Sequence, residues 1–156
     1  MPANTGWLKP FLAGVRNPAW VAFTWFGLTA GISLLEAPVK FTAPALSRAA
    51  ALDVGRVVFS ALNKVELVAL IVTLILVRTA GFARQLWAPA CLLALILVAQ
   101  SAWLLPELAE RSRQIVAGIT PADSPAHAIY AVLELAKLLL LLFVGFRSLA
   151  LAAPRA

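Results

Sequence analysis

The sequence predicts an all-α integral membrane protein, a bundle of four helices built as two tandem helical hairpins. Three observations carry that prediction. Hydrophobic residues fill 62% of the 156 positions and charged residues only 13%, whereas soluble domains hold about 45–50% and about 25%. Mean hydropathy is +0.92. Apolar runs cover about 18–38, 57–78, 86–106 and 126–150, each long enough to cross roughly 30 Å of hydrocarbon at about 1.5 Å per residue. The segments between them are too short to fold as a separate soluble domain, so residues 1–156 form a single transmembrane domain.

Span 1 follows an amphiphilic lead with Trp7, Lys9 and Arg16 and lacks an Ala-x-Ala exit, so it reads as a retained span and not as a signal peptide. Opposite its polar face lies Gly27-x-x-x-Gly31, a spacing that lets a neighbouring helix approach closely, either within the chain, in a homodimer or in another protein partner. The span ends at Leu34-Leu-Glu-Ala-Pro38, and Pro38, like Pro106 at the end of span 3, is expected to stop its helix. Span 2 carries Lys64-Val-Glu-Leu-Val-Ala-Leu-Ile-Val and closes at Arg78. Span 3 contains Cys91, the only cysteine, which leaves no intrachain disulfide or paired-thiol redox motif. Thr120-Pro-Ala-Asp-Ser-Pro125 reads as the turn feeding span 4, with Asp123 or Ser124 near its N-terminal cap. Span 4 carries Val132-Leu-Glu-Leu-Ala-Lys-Leu-Leu-Leu and closes at Arg147.

The net charge of +6 comes from basic residues scattered singly at span ends. That pattern fits headgroup anchoring and topology and excludes nucleic acid as a partner; the partner is the lipid bilayer. Four spans put both termini on one side. Lys9, Arg16, Arg78, Arg84, Arg147 and Arg155 lie there without an acid, while the opposite loops mix Lys40, Arg48, Arg56, Arg111 and Arg113 with Asp53, Glu107, Glu110 and Asp123. The positive-inside rule then favours cytoplasmic termini, in a bacterial inner membrane. Acids recur in the two halves, Glu36 and Glu66 in the first and Glu107 and Glu134 in the second. This recurrence suggests a parallel duplication, as in many transport folds.

Glu66 and Glu134 are the candidate site. A charge at that depth costs roughly 2.5–3.5 kcal/mol on insertion scales, so it is seldom kept without a partner or a task. At about 100° per residue, His127, Tyr130, Glu134 and Lys137 fall on one face of span 4. Trp25, Thr29, Ser33, Glu36 and Lys40 align on span 1, Gln100, Trp103, Glu107 and Arg111 on span 3, and Ser60, Asn63, Glu66 and Thr73 form a broader stripe on span 2. Turned inward, these stripes make a polar funnel. Glu66 and Glu134 would lie roughly 12–14 Å below its mouth, with Glu36, Glu107 and His127 as vestibule. Lys137, one turn from Glu134, is its expected ion-pair partner. Asn63, one turn before Glu66, is the expected donor to it, and Lys64, on the opposite face, is expected to snorkel to the interface or to meet another helix.

A di-iron bundle uses Glu-x-x-His from two helices, whereas the spacings here are Asn63-x-x-Glu66 and Glu134-x-x-Lys137. No metal centre is therefore expected, nor a haem on His127, nor a cofactor of any kind. No serine-nucleophile motif is present either, so an enzyme is not expected.

The stretches Leu35-Glu-Ala-Pro-Val-Lys-Phe-Thr-Ala-Pro-Ala-Leu46, Val57-Val-Phe-Ser-Ala-Leu-Asn-Lys-Val-Glu66 and Ala126-His-Ala-Ile-Tyr-Ala-Val-Leu-Glu-Leu-Ala-Lys137 resemble a family of small four-span membrane proteins catalogued as a domain of unknown function. The resemblance runs from span 1 to span 4 and implies four helices and the His-Glu-Lys stripe, but no substrate, cofactor or catalytic residue. The expected function is a carboxylate-lined cavity that binds or passes a cation, proton or small solute. The competing expectation is an accessory or assembly subunit whose polar stripes lock helices together.

Overall fold

The computed structural model describes residues 14–153 apart from Phe82, with the side chain of Ala83 also left aside. The expected roles of Trp7, Lys9 and Arg155 fall outside these residues. Four helices, Ala19–Thr42, Arg48–Thr79, Arg84–Val116 and Ala126–Ala152, are long and apolar enough to cross a membrane. They form an all-α antiparallel bundle, and the chain is an integral membrane protein. Spans 1 and 4 pack most extensively on each other, as do spans 2 and 3, and contacts within each hairpin are fewer. That arrangement is what a two-fold axis along the bundle would produce from two equivalent hairpins.

Spans 2 and 3 reach further than the apolar runs. The segments expected as loops, 39–56 and 107–125, shrink to connectors near 43–47 and 117–125, because their polar halves are good helix. Ser47 Oγ accepts from Ala50 N–H at 3.2 Å and caps span 2, satisfying a donor that a helix start leaves free. Arg56–Asp53 at 2.7 Å and Arg113–Glu110 at 3.4 Å then stabilise the emergent turns as i,i+3 pairs. Span 3 stops at Gly118, whose φ of +77° lets its own N–H reach Ile115 O at 3.0 Å while Ile119 N–H reaches Gln114 O at 2.8 Å. This is the two-bond C-terminal closure that glycine favours. Span 4 has Pro125 at its N-cap, and Ser124 Oγ just before it accepts from Ala126 N–H at 3.2 Å.

Pro38 and Pro106 do not stop their helices. Each follows a π-helical turn, Gly31–Glu36 in span 1 and Gln100–Leu104 in span 3, in which Ala37 N–H donates to Ile32 O and Leu105 N–H to Gln100 O, five residues back. The widened turn absorbs the clash between the proline ring and the carbonyl four residues earlier, and the helix resumes. These features also fix the internal repeat. Ser33 and Ser101, Pro38 and Pro106, and Glu66 and Glu134 are all 68 positions apart. Glu36 precedes its proline while Glu107 follows its own, so those two acids are not equivalents.

On the terminal side the bundle is shut by Ala22, Trp25, Leu70, Leu93, Leu97, Leu141 and Val144, all buried. The lipid-facing surface is aliphatic, with Val68, Ile71, Leu95, Val132 and Leu139 among its exposed residues. Spans 1 and 4 meet closely because Gly145 has no side chain: a Cβ there would lie 2.6 Å from Phe23 Cε1. Phe23 is held in place by an edge-on contact with Phe146, centroids 5.1 Å apart. Gly145→Ala is expected to lower stability by about 1 kcal/mol through overpacking, read as a lower melting temperature in detergent, and Phe23→Leu in the same chain is expected to restore most of the loss. Gly27 and Gly31 are exposed, and added Cβ atoms there would meet nothing within 4 Å, so this spacing serves no close packing inside the chain.

Candidate functional site

Glu66 and Glu134 converge on one lysine. Lys137 Nζ lies 2.7 Å from Glu66 Oε1 and 2.8 Å from Glu134 Oε2, and it donates to Gln100 Oε1 at 3.0 Å. Lys137 is fully buried, and Glu66 and Glu134 are 1% and 4% exposed. The position 68 residues before Lys137 is Ala69, so span 2 supplies no second ammonium there. Two carboxylates thus share one cation, and the cluster carries a surplus negative charge when all three groups are ionised.

Spans 1 and 3 complete the cluster with neutral donors. Trp25 Nε1 and Thr29 Oγ1 each donate to Glu66 Oε1 at 2.9 Å. Ser33 Oγ donates to Glu134 Oε1 at 2.6 Å and Gln100 Nε2 to Glu134 Oε2 at 2.8 Å. The spacing explains the reach: Trp25, Thr29 and Ser33 succeed one another at i,i+4 and so share a face, while the two π turns hold Ser33 and Gln100 at the level of the acids. π turns recur at functional positions in helices. Among the described residues no buried side-chain nitrogen or oxygen lacks a partner, so the buried charges are matched by hydrogen bonds, as burial requires.

The sequence-predicted residues divide into three groups. Glu66, Glu134 and Lys137 come together, and the Glu134–Lys137 pair is as expected, but the same lysine also compensates Glu66. Asn63 does not bond Glu66; its Nδ2 donates to Ser101 Oγ at 2.7 Å, and Ser101 in turn donates to Leu97 O. Lys64 is exposed. Glu36 and Glu107 do not form a vestibule. Glu36 pairs with Lys40 at 3.3 Å, and Glu107 accepts from Trp103 Nε1 at 3.1 Å and from Ser124 Oγ; neither lines the central cavity. His127 and Tyr130 do line it, and Tyr130 packs edge-on against Phe59 with centroids 5.8 Å apart. Trp25, Thr29, Ser33 and Gln100 lay on the polar stripes but were not singled out; their i,i+4 spacing along the glutamate-facing stripe was the available signal.

The cavity occupies the loop-side half of the bundle, measures about 920 Å³ and reaches Glu134 at its floor. Its walls are mixed: Phe41, Leu52, Phe59, Leu105 and Leu108 alternate with Ser33, Ser60, Asn63 and Ser101, and Lys40, Arg56 and Arg111 stand along its length. Glu134 is the only acid in the wall among the described residues, so the expected carboxylate-lined funnel is basic and apolar above one carboxylate. Lys137 Nζ already stands where a cation bridging the two acids would sit. No family model, no curated protein and no solved structure matches the chain.

Proposed function

We propose that the chain is a multi-pass, non-enzymatic membrane protein that binds or passes a small solute through the loop-side cavity, with a proton exchanged at the Glu66–Lys137–Glu134 cluster. The observation that carries this reading is the contact between an open cavity and one member of a buried, unevenly charged cluster. A surplus charge held away from water is expensive, and neutralising it by a proton arriving through the cavity relieves that cost. The apolar residues on the terminal side support one-sided access, and the two π turns beside the cluster supply places where spans 1 and 3 can bend. In this reading the termini are cytoplasmic, the cavity faces away from the cytoplasm and the membrane is a bacterial inner membrane; thiol labelling of Ser124→Cys from outside intact cells checks the orientation.

The test is proton flux into proteoliposomes carrying an entrapped pH dye under an imposed potassium-diffusion potential. The wild-type chain is expected to exceed protein-free vesicles, and Glu66→Gln and Glu134→Gln to fall to their level while remaining monodisperse. Gln variants that fold normally with unchanged flux overturn the reading. The complete satisfaction of the polar network favours a second one, an accessory or assembly subunit in which the cluster locks four helices for docking. A stoichiometric partner retained in gentle detergent, together with flux no greater than in protein-free vesicles, supports that alternative.

A further inference from the structure

The loop-side half of span 1 packs less closely on the bundle than its first half and touches it mainly through side chains, Ser33 on Glu134 and Lys40 across Gly55. Its first part, Ala19–Ala30, packs on span 4 and span 2, but the π turn Gly31–Glu36 and the helix Ala37–Val39 make their main contacts with their own neighbours along the chain. The corresponding half of span 3, by contrast, packs against span 2 and also meets span 4. The cavity lies where span 1 leaves the others. Leu34 of span 1 and Leu135 of span 4 both line it and are 62% and 56% exposed, which puts them at an edge where the cavity meets the outer, bilayer-facing surface.

The interior of this space has one sign of charge above the floor. Lys40, Arg56 and Arg111 line it, whereas Glu36 and Asp53, the acids paired with Lys40 and Arg56, do not. The Lys40 side chain is only 9% exposed; it lies across Gly55, where a Cβ would be 2.8 Å from Nζ, and its ammonium sits 5.6 Å from the Phe59 ring centroid. The glycine thus lets a cation lie deep in the cavity against aromatic surface. At about 920 Å³ the space is at the upper end of the roughly 300–1,000 Å³ typical of small-molecule sites.

We infer that the splayed loop-side half of span 1 opens the cavity sideways to the bilayer, and that its occupant is a single-chain anionic amphiphile with its acidic head among Lys40, Arg56 and Arg111 and its tail against Leu34, Phe59, Leu108 and Leu135. The inference rests on the cavity reading proposed above and names its solute class. Charge complementarity selects the head, since the three cations lining the space, Lys40 among them nearly buried, attract an anion. The apolar walls and the lateral edge select a molecule already dissolved in the membrane.

The test titrates the purified, detergent-solubilised full chain with a dansyl-labelled fatty acid and with the fatty alcohol of the same length. The acid is expected to bind saturably and the alcohol about tenfold more weakly, as loss of a charge-assisted contact implies. Lys40→Ala with Arg111→Ala is expected to weaken the acid by a similar factor and leave the alcohol unchanged, and Ala131→Trp, which sets an indole into the cavity wall, to weaken both. Equal binding of acid and alcohol, binding insensitive to Ala131→Trp, or displacement by butyrate as effectively as by a long-chain acid each overturn the inference, the last by pointing to a water-soluble carboxylate. Acid binding without proton flux removes the proton-linked passage and keeps the amphiphile site; flux without acid binding does the reverse.

Discussion

Replacing Lys137 with methionine is expected to lower stability by about 3–5 kcal/mol, the range found when one partner of a buried ion pair is removed. Methionine matches the unbranched stem and fills the same space, so little of the loss comes from a cavity. What disappears is the one ammonium that holds Glu66 at 2.7 Å, Glu134 at 2.8 Å and Gln100 at 3.0 Å. Two carboxylates then face each other with only neutral donors between them, in a region where Lys137 itself has no exposure. The neutral donors that remain, Trp25 and Thr29 on Glu66 and Ser33 and Gln100 on Glu134, keep the loss at several kcal/mol, well below the cost of an isolated buried charge. The measurement is reversible denaturant or thermal unfolding in mixed micelles. Adding Glu66→Gln and Glu134→Gln to Lys137→Met is expected to recover most of the loss, since a neutral set of similar volume often matches a buried charged one. A Lys137→Met chain as stable as wild type, or a triple variant no better than the single one, would contradict the account.

The bundle was legible because its causes are local. Apolar runs of membrane length are written in consecutive residues, and each of the four lies on an observed helix, although the second and third helices reach further into the polar segments. The Glu134–Lys137 pair was legible for the same reason, being an i,i+3 relation on one helix. The partnership of Glu66 was not, because it depends on the pairing of span 4 with its neighbours, which no single helical wheel contains. Asn63 was misassigned on the same ground: one turn from Glu66 on its own helix, it finds Ser101 across the bundle instead. The basic character of the cavity depended on where Glu36 and Glu107 point. Each acid is claimed by a near neighbour in sequence, Lys40 in one case and Trp103 in the other, and such short-range partners turn a stripe residue away from the interior. Pro38 and Pro106 were read as stops because proline opposes a regular helix; the extra residue of a π turn removes the conflict, and nothing in the local composition announces that turn.

Glu66→Leu is expected to cost about 2–3 kcal/mol, and Glu66→Gln far less, because the decisive change is the loss of an acceptor and not of a charge. Removing the carboxylate leaves Lys137 with Glu134 alone, a balanced pair, so the electrostatics of the cluster improve in either variant. Glutamine also keeps an oxygen where Trp25 Nε1 and Thr29 Oγ1 donate, both at 2.9 Å. Leucine offers nothing there. Thr29 can turn its hydroxyl to a backbone carbonyl four residues back, as Thr73 does with Ala69 at 2.8 Å, but the Trp25 indole is 2% exposed and fixed by packing, so its N–H stays orphaned. The cost of Glu66→Leu should therefore reside in Trp25. A double-mutant cycle isolates it: in a Trp25→Phe chain, which lacks the N–H, the penalty for Glu66→Leu is expected to shrink by at least about 1 kcal/mol. Equal penalties in both backgrounds would assign the cost of the leucine to packing, and the Trp25–Glu66 hydrogen bond would then contribute little to holding spans 1 and 2 together.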